Sequence, residues 1–201
     1  MCGISLLYFE KNYQSKDYIK KFTSELSHRG PDGTDFYKDS KVNLSIGHNR
    51  LSIIDTSDLA KQPFIDNENR FVLSYNGEIF NYIEIRKELE AKGYIFRTNS
   101  DTEVLLNSYV EWGEKCLFKF NGFWAFIIYD KLKRRIFISR DRFGVKPLYY
   151  YFDSKNLIIS SELKAFKSIT NQINIFIYHP RPYGIIPYHF LRYCRMKQIF
   201  V

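Results

Sequence analysis

The chain has no run of about 18 apolar residues, the length a membrane-spanning helix needs, so no membrane association is expected. Its start, Met1-Cys2-Gly3-Ile4-Ser5, carries neither a basic leader nor a small-residue cleavage site, which argues against secretion and for a cytoplasmic protein. Cysteine is scarce. Cys2, Cys116 and Cys194 are odd in number and lack metal-ligand spacing, which speaks against a disulfide framework or a zinc site and fits a reducing compartment. Acidic residues are missing altogether from 170–201, where Arg181, Arg192, Arg195 and Lys197 carry half of the net charge of +8. The rest of the chain therefore shows no uniform basic field, and nucleic-acid binding is not expected. Lys131-Leu132-Lys133-Arg134-Arg135 lies between apolar runs and reads as a solvated turn.

What is present is an ordinary globular composition, 45% apolar and 26% charged, in 201 residues, enough for one sizeable domain. Residues 2–9 are β-prone, and Ile19, Phe22 and Leu26 make one stripe of a helix. Leu44, Ile46 and His48 alternate as in a strand, and 71–75 predicts another. Tyr82, Ile85 and Leu89 form a second helical stripe that stops at Gly93. Ser100 with Glu103 predicts a capping box for a third helix, with Leu105, Tyr109 and Trp112 on its buried face and Gly113 at its end. Strand signals follow at 123–129, 136–139, 148–152 and 157–160. Strands and helices that do not alternate strictly argue for an α+β fold with antiparallel sheet. Residues 169–201 differ in kind: Pro180, Pro182 and Pro187 interrupt an aromatic-rich stretch with no consistent period, which reads as a poorly ordered tail.

Several residues admit two readings each. Cys2 is a small buried hydrophobe or a nucleophile. In the second case, removal of Met1 places a thiol and a free α-amine on one residue, and the amine, titrating at about 7.7–8.0, can generate the thiolate. Asn76-Gly77 is a hairpin signal or a pair of oxyanion donors. Arg50 is a surface ion-pair partner or a clamp for a substrate carboxylate. Asp101, at the first helical position after Ser100, is justified by the helix dipole alone or faces a substrate cation. His28 and His48 show no metal or triad spacing and read as structural.

In order, six blocks carry a family resemblance: Cys2-Gly3-Ile4, His28-Arg29-Gly30-Pro31-Asp32, Gly47-His48-Asn49-Arg50-Leu51-Ser52-Ile53-Ile54, Tyr75-Asn76-Gly77-Glu78-Ile79, Ser100-Asp101-Thr102-Glu103 and Ser139-Arg140-Asp141-Arg142-Phe143-Gly144-Val145-Lys146-Pro147-Leu148-Tyr149. Together they resemble the glutaminase domain of glutamine-hydrolysing asparagine synthetase, a class II glutamine amidotransferase and N-terminal-nucleophile hydrolase. The resemblance covers residues 2–168. It implies an αββα sandwich of two antiparallel sheets between helical layers, and hydrolysis of L-glutamine to glutamate and ammonia through a cysteine thioester.

By resemblance Cys2 is the nucleophile, Asn76 and Gly77 form the oxyanion hole, and Glu78 and Asp101 face the α-ammonium of glutamine. Arg50 holds the α-carboxylate, helped by backbone contacts from Leu51, Ser52, Ile53 and Ile54. The glutaminase step is expected to need no cofactor and no metal. ATP and magnesium belong to a second, aspartate-activating domain with a Ser-Gly-Gly-x-Asp-Ser type phosphate loop, and that loop does not occur here. The chain thus reads as a truncated glutaminase domain, with an inactive fragment that binds glutamine or a partner as the alternative. The resemblance leaves room for a homodimer. The glutaminases of amidophosphoribosyltransferase and of glucosamine-phosphate synthase are sibling readings.

Overall fold

The computed structural model describes residues 1–10, 18–153, 155–169, 192–195 and 198–199. Two antiparallel sheets form its centre. In the first, β1 (Gly3–Phe9) lies between β3 (Leu44–Arg50) and β9 (Asn156–Ser160), with β2 (Gly33–Asp39) and β8 (Tyr149–Phe152) at the edges. The second runs β11 (Gln198–Ile199), β10 (Arg192–Arg195), β7 (Arg135–Arg140), β6 (Gly122–Asp130), β5 (Phe71–Ile79), β4 (Phe64–Ile65).

Side-chain alternation along these strands builds the layers. Ile4 and Leu6 of β1 and Ile46 of β3 point toward Val72, Ile127 and Ile138 of the second sheet, closing an apolar core between the sheets. Leu7 of β1 and Ile158 of β9 point the other way, onto Ile19 and Phe22 of α1 (Tyr18–Ser24) and onto Phe166. On the far side Leu73, Phe126 and Phe137 pack against Ile85 and Leu89 of α2 (Tyr82–Ala91) and Val104 and Leu105 of α3 (Asp101–Trp112). Strands apolar on both faces are explained by this: each sheet meets a sheet on one side and a helix on the other. The order helix, sheet, sheet, helices is the expected αββα sandwich. Each fully buried Leu or Ile contributes roughly 1.5–3 kcal/mol by leaving water.

The helical stripes hold with local changes. Leu26 is buried as expected but lies beyond the end of α1, in the following turn. Gly93 (φ +94°) and Gly113 (φ +59°) close α2 and α3 in a conformation that side chains with a Cβ disfavour. The basic run over 131–135 is the β6–β7 turn, with Arg134 at φ +49°. The expectation of a poorly ordered tail falls largely outside the described residues. Within the tail, β10 pairs along β7 and β11 along β10.

A buried polar pair lies within the inter-sheet core. His48 of β3 is fully buried, its Nδ1 is 2.9 Å from Ser74 Oγ of β5, and its Nε2 has no partner among the described residues. Burial, aided by the positive charge of Arg50, lowers its pKa from 6.5 to about 3. The native imidazole is therefore neutral where the unfolded one takes up a proton. Its contribution is intact above pH 6.5 and is lost as pH falls toward 3, at about 1.4 kcal/mol per pH unit. In urea unfolding at pH 7.5 and 5.5, His48→Asn is expected to lose about 1 kcal/mol less than wild type between the two conditions. Equal losses would show that His48 does not set the acid-side slope.

Candidate active site

At one end of the sandwich the inward-facing positions change from apolar to polar. Along β3 the inward series Leu44, Ile46, His48 ends at Arg50, and along β5 the series Val72, Ser74 continues to Asn76 and Glu78. The β1–β3 register pairs Gly3 with Asn49, so Cys2 falls opposite Arg50. Main-chain pairing thus gathers residues far apart in sequence. All ten residues singled out above line one cavity of about 140 Å³, which also takes in Tyr75, Gln62 and Lys146. That volume is below the roughly 300–1,000 Å³ of drug-sized sites and suits a small metabolite.

Cys2 is half-buried and its sulfur accepts from Leu51 N at 3.4 Å. Its carbonyl oxygen accepts from Arg29 Nε (2.9 Å), and Arg29 is held in turn by Glu162 (2.8 Å), which also bonds His28 (2.9 Å). Burial pushes the thiol above its ordinary range. The Leu51 N–H, the terminal ammonium, Arg50 and Lys146 pull it back down.

Arg50 makes no surface ion pair among the described residues. Its guanidinium donates to Ser57 O (3.0 Å) and to Asp55 O, so it holds the loop after β3 against its own strand. Ser52 N in that loop donates to Asp32 Oδ2 at 2.7 Å, and Asp55 Oδ2 accepts from Asn99 N at 2.9 Å. The loop carrying Leu51, Ser52, Ile53 and Ile54 is therefore fixed from three directions before any ligand arrives. Since Ser52 N is already engaged, the expected backbone contact at that residue is narrowed to the groups that remain.

Asn76 and Gly77 are not a hairpin turn: both sit inside β5, paired with Ala125 and Trp124. The turn signal fails because nine residues of continuous β6 pairing override a two-residue preference. Gly77 answers a close approach instead, since a Cβ there would stand 2.4 Å from Phe123 O and 2.8 Å from Trp124 Cα. The Asn76 side chain is 2% exposed, and its Nδ2 donates to nothing in the described structure. A buried amide donor without an acceptor is costly, roughly 1–3 kcal/mol, and rare.

Asp101 begins α3, where the helix dipole favours it, and it also reaches the cavity. Its Oδ2 accepts from Tyr75 Oη (2.8 Å) and Ile79 N (3.1 Å). Burial raises its pKa, and the nearby Glu78 adds to that, while the two donors oppose it. The expected capping box is only half formed. Ser100 Oγ accepts from Thr102 N (3.1 Å), but the Glu103 carboxylate reaches past the cap to Arg97 N (3.2 Å), Thr98 N (2.8 Å) and Thr98 Oγ1 (2.7 Å). Glu103 thereby ties down the loop that presents Asp101. Glu103→Ala leaves buried N–H groups unpaired and is expected to lower urea-unfolding stability by about 2–3 kcal/mol, with Gln recovering part of it. A loss under 0.5 kcal/mol would remove that role.

Sequence reasoning missed Arg29, Lys146, Tyr75 and Gln62 as parts of this site. Arg29 and Lys146 lie in blocks already singled out, but nothing in their spacing told of a role. Gln62, whose Oε1 accepts from Tyr75 N at 2.7 Å, carries no motif signal at all.

A family model described as "Glutamine amidotransferase domain" matches residues 1–177. The chain belongs to the glutamine amidotransferase domain family. This domain is 38% identical to the putative asparagine synthetase [glutamine-hydrolyzing] 2 of Methanocaldococcus jannaschii, over 100% of this chain and 44% of that protein. It is also 38% identical to asparagine synthetase [glutamine-hydrolyzing] 1 of Bacillus subtilis, over 87% of this chain and 28% of that protein. The amidotransferase domain thus spans less than half the length of these curated relatives. Its fold matches the glutamine phosphoribosylpyrophosphate amidotransferase of B. subtilis with a TM-score of 0.70 at 24% identity, covering 88% of this chain and 44% of that one. Among the described residues no helix is long and apolar enough to cross a membrane.

Proposed function

We propose that this amidotransferase domain hydrolyses L-glutamine to glutamate and ammonia with Cys2 as the nucleophile, after removal of Met1. The observation that carries the reading is the unpartnered Asn76 Nδ2, nine-tenths and more buried, in the same cavity as the Cys2 sulfur. An oxyanion forming on the substrate supplies the acceptor that the folded chain withholds.

The remaining groups suit glutamine's two ends. Arg50 lines the cavity and would hold the carboxylate with guanidinium protons beyond those given to Ser57 and Asp55. Glu78 and Asp101 offer the anionic side for the α-ammonium. In the reaction the α-amine of Cys2 takes the thiol proton and the thiolate attacks the side-chain amide carbon. The tetrahedral oxyanion then rests on Asn76 Nδ2 and Gly77 N. It collapses as the protonated amine delivers its proton to the departing nitrogen, releasing ammonia and leaving a thioester. Water attacks that thioester, giving glutamate and the free thiol.

The lineage read from the relatives is that of asparagine synthetases, so ammonia would feed an ATP- and magnesium-dependent amidation of aspartate. That reaction is assigned to the part of such proteins beyond this sequence, and the glutaminase step itself calls on no cofactor. The test is Cys2-dependent release of glutamate and ammonia by the purified chain, with intact mass reporting the loss of Met1. A processed, folded chain that releases neither would overturn the reading.

A further inference from the structure

The block over 139–149 is a motif to which glutamine hydrolysis assigns no task, yet its geometry is specific. Arg140, the last residue of β7, donates from Nε to Lys146 O (2.7 Å) and from Nη2 to Gly144 O (2.6 Å). The buried Asp141 carboxylate accepts from Phe143 N (3.1 Å) and Val145 N (2.9 Å) on Oδ1 and from Lys146 N (2.9 Å) on Oδ2. Two side chains thus bind both backbone groups of Lys146 and wind the loop into a fixed turn, with Gly144 at φ +65° against the Arg140 guanidinium. Phe143 and Val145 are left in solvent. Lys146 turns inward instead, lines the cavity with Cys2, and lays its Nζ 4.5 Å from the centre of the Phe123 ring.

We propose that Lys146 is a positioning charge for Cys2: its ammonium stabilises the anionic form of the sulfur as the proton leaves for the α-amine. The inference rests on Cys2 as the nucleophile. Among the other charged groups near Cys2, the terminal ammonium and Arg50 also favour the thiolate, while Arg29 and Arg50 have a further structural task. Arg29 is bound to Cys2 O and Glu162, and Arg50 to Asp55 O and Ser57 O. Glu78 and Tyr75 of β5 and Asp101 of α3 present oxygen. The α-amine that Cys2 gains on removal of Met1 is the reaction's own base. Lys146 makes no ion pair among the described residues, and the influence is mutual: it lowers the thiol's pKa, and the sulfur raises that of Lys146 against burial and the repulsion of Arg29.

Alkylation by iodoacetamide reads the thiolate directly: sulfur forms a bond to the methylene carbon and iodide leaves. Cys116 is buried, with its thiol pushed up to about 12, and peptide mass separates Cys2 from Cys194. Lys146→Met is expected to raise the midpoint of the Cys2 rate–pH profile by about half to one unit and to slow alkylation at pH 7 about three- to tenfold. Lys146→Arg should restore the profile, since the loop bonds use main-chain atoms that both substitutions keep. A Met profile that superimposes on wild type, or an Arg shift as large as the Met shift, would overturn the proposal. Glutamate release is measured separately on the wild-type chain. A chain that alkylates normally yet leaves glutamine intact overturns the proposed function, while the Lys146 effect on the sulfur can still be read.

Discussion

Cys2→Ala is expected to abolish glutamate and ammonia release, a fall of about 10⁴-fold or more, because among the described residues Cys2 is the one cysteine lining the cavity, and its thiol forms the proposed thioester. Asn76, Gly77, Arg50 and Asp101 are untouched by the change, so glutamine binding, measured by calorimetry, should persist within a few-fold of wild type. Stability should hardly move, since the half-buried thiol bonds only to Leu51 across the loop. Cys116 offers no substitute: it is fully buried in the core under α3. Turnover by the alanine variant above one hundredth of wild type would remove Cys2 from the mechanism.

Asn76→Ala carries the second largest expectation. Loss of one oxyanion donor should lower kcat by about two to three orders of magnitude, roughly 3–4 kcal/mol of transition-state stabilisation. KM should stay within about threefold, since the contact is made only as negative charge develops. The stability side distinguishes this from simple damage. Asn76 Nδ2 has no partner among the described residues, so its removal forfeits no hydrogen bond seen there and relieves an unpaired buried donor. Thermal unfolding at or above the wild-type temperature, together with the kinetic loss, is the expected pair of results. An unchanged kcat would take the oxyanion role away, and a large drop in stability would reassign the side chain to the fold.

Much of the fold was legible because burial and chain periodicity coincide. The stripes of α1, α2 and α3, their stops at Gly93 and Gly113, and the strand runs all follow from apolar residues at helical or alternating spacing. The ambiguities and the one misread contact were local and shared one cause. Asn76-Gly77 admits a turn on nearest neighbours alone, and the β6 partner that makes it strand lies some fifty residues away. Glu103 satisfied the capping-box spacing but found better donors at Arg97 and Thr98, which only the bend before α3 brings close. Arg29 and Gln62 were silent because their partners, Cys2, Glu162 and Tyr75, are remote in sequence.

By itself the sequence determined the α+β class through apolar periodicity, and through six ordered motif blocks the family resemblance that implies the αββα sandwich and the residue types for glutamine chemistry; both are one-dimensional properties. Which alternatives those residues realise was decided only by tertiary structure. The β1–β3 register sets Cys2 opposite Arg50, β6 pairing places Asn76 inward, and the Asp141 turn directs Lys146 into the cavity. Desolvation and the absence of a partner are properties of a site in three dimensions. The Cys2 thiol, the Asp101 carboxyl and the Asn76 amide acquire their character from that site rather than from spacing along the chain.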